Sequence, residues 1–89
     1  MKKEEQIRAL HKILYIWENK EEQTSYDMYI SNCIARFAGT KMDDTIREKI
    51  IDTLTGLKVI GNTLSHQEVR SIILGLMGDI DRMEAYDGL

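Results

Sequence analysis

Apolar residues recur three and four positions apart along most of the chain, the repeat of helices that bury one face. Near the N-terminus Ile7, Leu10, Leu14 and Trp17 keep that spacing, and Ile13 and Ile16 widen the stripe beyond a coiled-coil seam. The pattern predicts a first helix over Lys3–Glu22. A second follows from Thr24, where Thr24-Ser25-Tyr26-Asp27 has the form of a capping box with Asp in its third position. Its face is Tyr26, Ile30, Cys33 and Phe37, flanked by Tyr29 and Ile34, and Gly39 is placed to end it through a positive φ. Thr40-Lys41-Met42-Asp43 repeats the cap pattern ahead of a third helix. That helix carries Met42, Ile46, Ile50, Leu57 and Ile60 on one side and stops at Gly61-Asn62. Ser65 with Glu68 three residues on, and Leu64 with Val69 as a staple, give the strongest local start signal in the chain. The fourth helix runs from there to about Tyr86, with Val69, Ile72, Ile73, Leu76, Ile80 and Met83 inward.

Proline is absent and no run alternates with a two-residue period. The fold class expected is therefore all-α: one domain over residues 1–89, a compact bundle of four amphipathic helices. Short connections favour antiparallel neighbours.

Length then narrows the picture. A chain of 89 residues buries only about 60 to 65% of its unfolded surface, so its core leaves little margin. Cys33 is the single cysteine, which excludes an internal disulfide and offers no zinc spacing. The supplement that remains is association. Net charge is −3, with 12 Lys and Arg interleaved among 15 Asp and Glu; nucleic acid is not the partner this balance points to. Lys2-Lys3 is followed at once by Glu4-Glu5, and Arg8, His11 and Lys12 interrupt the apolar run, unlike a signal peptide. No apolar stretch reaches the length of a membrane span, and the expected compartment is the cytoplasm.

Several apolar residues lie off the stripes: Ile51 well round from Ile46 and Ile50, Leu74 displaced from Val69, Leu76 and Ile80, Ile16 at the edge of its face, and Met28 nearly opposite Tyr26 and Ile30. Ser71, Gly75 and Gly78 form a small-residue track on the side of the fourth helix away from its stripe. Two interior glycines cost about 2 kcal/mol relative to alanine. Either something approaches closely along the track, or the helix breaks near Gly75 or Gly78 and Asp79 caps a short final helix; the break is narrowly favoured. Ile51, Ser71, Leu74, Gly75 and Gly78 are accordingly the candidate surface for a homodimer or a protein partner, through the fourth helix and the exposed side of the third. Tyr29, Asn32 and Arg36 form a secondary candidate patch along one flank of the second helix, for which a solvated flank with the Arg36 stem over Tyr29 is the simpler account.

Signals for chemistry are sparse. Cys33, between Ile30 and Phe37, reads as a small core hydrophobe. His11 reads as a boundary residue and His66 as a solvent-facing one in a first helical turn. Trp17 suits core and interface equally. The spacings Glu18-x-x-Glu21 and Glu84-x-x-Asp87 match the magnesium-holding pairs of all-α nucleotide pyrophosphohydrolases. Both fall at helix ends and arise readily by chance among 15 acidic residues. A helix-turn-helix built from the third and fourth helices would present His66, Gln67 and Arg70, yet its turn is long and no basic cluster flanks it. The functional expectation is a non-catalytic, cofactor-free interaction module, a small regulatory or inhibitory helical protein.

Overall fold

The computed structural model describes residues 2–19 and 23–83, and of 23–25 the backbone alone. The described residues fold into four α-helices: α1 (Lys3–Glu18), α2 (Gln23–Ala38), α3 (Asp44–Ile60) and α4 (His66–Arg82), with a 3-10 turn at Gly61–Thr63 between the last two. Among the described residues there is no strand. The bundle is all-α, as the periodicity predicts.

Long-range polar contacts fix the helix directions. Lys3 at the start of α1 donates its ammonium to the carbonyls of Asp81 (2.7 Å) and Met83 (2.9 Å) at the end of α4. At the other end Arg70 bonds Glu18 at 2.6 Å. These two ties set α1 and α4 antiparallel. The Tyr29 hydroxyl donates to the Ala9 carbonyl (3.2 Å) across the α1–α2 seam, and Lys49 of α3 meets Asp79 of α4 at 2.6 Å. Gly61, just past α3, lies against Tyr26 near the start of α2. Successive helices therefore run up and down, with α4 closing back on α1.

The core is built from the expected stripes. Leu10, Ile13 and Leu14 of α1, Tyr26, Ile30, Cys33 and Phe37 of α2, and Val69, Ile73, Leu76 and Ile80 of α4 are all buried, with Met42 and Met83 closing one end. In α3 the buried face is Ile50, Leu54 and Leu57. Leu54 lies four residues past Ile50 and three before Leu57, so it completes that stripe. Ile60 does not belong to it: the helix ends there, and the side chain is 51% exposed. Ile16 is a correction in the other direction, since the wide face of α1 packs against two neighbours and buries it.

The helix ends refine several expectations. Ser65 and Glu68 form a reciprocal capping box, Ser65 Oγ accepting from the Glu68 amide and Glu68 Oε1 accepting from the Ser65 amide. Those bonds hold the Glu68 carboxyl below its ordinary range. α3 is capped by Asp43, whose carboxylate accepts from the Ile46 amide at 3.0 Å, and not by Thr40. The Thr40 hydroxyl instead donates back to the Arg36 carbonyl, 2.7 Å away at the end of α2. Gly39 follows α2 as expected but stays out of the left-handed region. α2 begins at Gln23, one residue ahead of Thr24; the side chains of the expected box at Thr24 and Ser25, and the stretches 20–22 and 84–89, lie outside the described residues.

The favoured break in the fourth helix does not occur: α4 is continuous through Gly75 and Gly78. Magnitudes explain it. The two glycines cost about 2 kcal/mol, whereas burying Val69, Ile73, Leu76 and Ile80 along one unbroken face stabilises by about 1.5 to 3 kcal/mol per side chain. Nor is Asp79 a cap. Its carboxylate bonds Lys49 and Arg82, which hold it below the ordinary aspartate range.

Candidate functional site

The outer faces of the helices follow from what turns each helix toward its neighbours. Arg70 bonds Glu18, so the Arg70 side of α4 faces α1. Asp79 bonds Lys49, so the Asp79 side of α4 faces α3. Leu74 stands one turn after Arg70, on the α1 side, and is 45% exposed. Ser71, Gly75 and Gly78 lie between these two sides, away from the buried stripe. Ser71 and Gly75 are exposed, and a Cβ built on Gly75 meets nothing within 4 Å. One built on Gly78 meets only the end of the Arg82 side chain, at 3.1 Å. Arg82 thus lies over Gly78, while Ser71 and Gly75 are left open.

Tyr15, absent from the sequence-derived surface, extends it. It stands one turn before Glu18 just as Leu74 stands one turn after Arg70, and α1 and α4 are antiparallel. The two therefore stand at the same level of neighbouring helices, and Tyr15 is 57% exposed on the outer face of α1. A pairing between helices distant in sequence carries no local signal, which is why Tyr15 is silent in the chain alone.

Ile51 does not join them. Lys49 points to α4, and two residues later the helix has turned by about 200°, so Ile51 faces the α2 side. There it is half-buried against the core. Ile51 and Leu74 thus sit on different sides of the bundle. Met28 points outward from α2 and, with Val59 and Ile60 near the end of α3, is exposed.

In the secondary patch, Asn32 and Arg36 are exposed and Tyr29 is half-buried. Tyr29 is engaged in the fold: its hydroxyl bonds Ala9, and the Lys12 ammonium lies 5.2 Å from its ring centroid. Burial, with the adjacent Cys33 thiol, pushes its phenol up to about 12. Cys33 is itself buried, and burial raises its thiol. That environment favours the neutral thiol over the nucleophilic thiolate.

At the Gly61 end of the bundle, Trp17 packs its ring against Tyr26 (5.3 Å between centroids) and against His66 (5.9 Å). His66 is exposed but covers the indole, a contact the sequence did not announce. His11 is exposed. The Trp17 indole nitrogen and the Tyr26 hydroxyl are buried with no hydrogen-bond partner among the described residues.

Of the acidic pairs, Glu18 is bonded by Arg70, and Glu21, Glu84 and Asp87 lie outside the described residues. Among the described residues no three His, Cys, Asp or Glu side chains come together as a metal site, and no helix is long and apolar enough to cross a membrane. His66, Gln67 and Arg70 are exposed at the start of α4. The Lys49–Asp79 bond joins α3 to α4. No protein-family model, curated protein or solved structure matches the chain.

Proposed function

We propose that this chain is a non-catalytic helical interaction module that docks on protein through the outer face of α4. The observation that carries the reading is the exposed strip around Gly75. Two glycines stand inside an uninterrupted helix, open space lies beside one of them, and Leu74 beside the strip and Tyr15 at the same level of α1 present apolar surface. Glycine in a helix interior lowers stability without return unless another backbone approaches closely. A stable interface takes about 800 Å² from each partner, roughly a seventh of this molecule's 5647 Å². One helix's outer strip falls short of that, so the α1 side carrying Tyr15 takes part.

The test is to replace Leu74 with Glu, and separately Tyr15 with Ser, and to follow complex formation by size exclusion with light scattering. Both side chains are exposed, so helix content by circular dichroism stays at the wild-type value. Complex formation falls at least tenfold for Leu74→Glu and by less for Tyr15→Ser. A complex that survives Leu74→Glu unchanged puts the docking surface elsewhere.

A further inference from the structure

We draw no further inference here: the strongest candidate, the small-residue strip of Ser71, Gly75 and Gly78 on the outer face of α4, belongs to the docking face already described, and nothing in the structure shows what covers it.

Discussion

At the scale of single residues the Gly61 end of the bundle is its weakest-satisfied part. The Tyr26 hydroxyl is buried with no partner among the described residues, and a Cβ on Gly61 would stand 3.2 Å from it. An unsatisfied buried hydroxyl costs about 1 to 3 kcal/mol, so Tyr26→Phe raises stability by about 1 kcal/mol, read as a higher urea midpoint at unchanged slope. A loss of similar size would mean the hydroxyl has a partner. Gly61→Ala lowers stability, and the loss shrinks in the Tyr26→Phe background because the methyl then meets no oxygen; a double-mutant cycle measures that coupling. None of this was legible in the sequence. Tyr26 reads there only as a member of the α2 face, and the Gly61 contact joins residues 35 apart. The opposite holds at Ser65, where both partners of the cap lie within four residues and the reading stood. Asp43 and Thr40 show the limit of such local signals: both are good caps, and only the docking of the α2 end onto α3 decides which hydroxyl or carboxylate is spent elsewhere.

At the scale of the element, α4 shows local propensity overridden by burial. Its glycines signal a break, and its unbroken apolar face prevents one. Since Gly75 meets nothing, Gly75→Ala stabilises the fold by about 1 kcal/mol, a rise in Tm of about 4 to 8 °C. The same methyl, standing in the proposed docking strip, weakens association. Thermal melts at low concentration and sedimentation at high concentration should therefore move in opposite directions; parallel changes would separate Gly75 from the interface. Most of each stripe was readable because burial follows the 3.6-residue repeat. The failures are at edges: Ile16, buried because α1 packs against two neighbours, and Ile60, exposed because α3 ends there. Leu74 was readable as off-stripe. Tyr15 and the separation of Ile51 from Leu74 were not, since they depend on which side of each helix meets which neighbour.

At the scale of the whole molecule, the phenols of buried Tyr26 and half-buried Tyr29 set an alkaline limit. Burial pushes Tyr26, with help from the Asp27 charge, up to about 12, and Tyr29 likewise up to about 12. In the unfolded chain a phenol ionises near 10. The folded state holds these protons longer, so their contribution is intact below about pH 10 and falls as pH rises from about 10 toward about 12. Denaturation midpoints across that range should drop more steeply for the wild type than for Tyr26→Phe/Tyr29→Phe; equal slopes would assign the alkaline loss to other groups.

The bundle closes through Lys3 and Glu18 onto α4, and that closure leaves the strip around Gly75 facing out. The central claim is that this strip is for association, and sedimentation equilibrium of the wild type and Leu74→Glu over a wide concentration range tests it most directly. The account predicts a reversible approach to two chains per particle for the wild type, and a single chain throughout for Leu74→Glu. Equal dimerisation of both would contradict it.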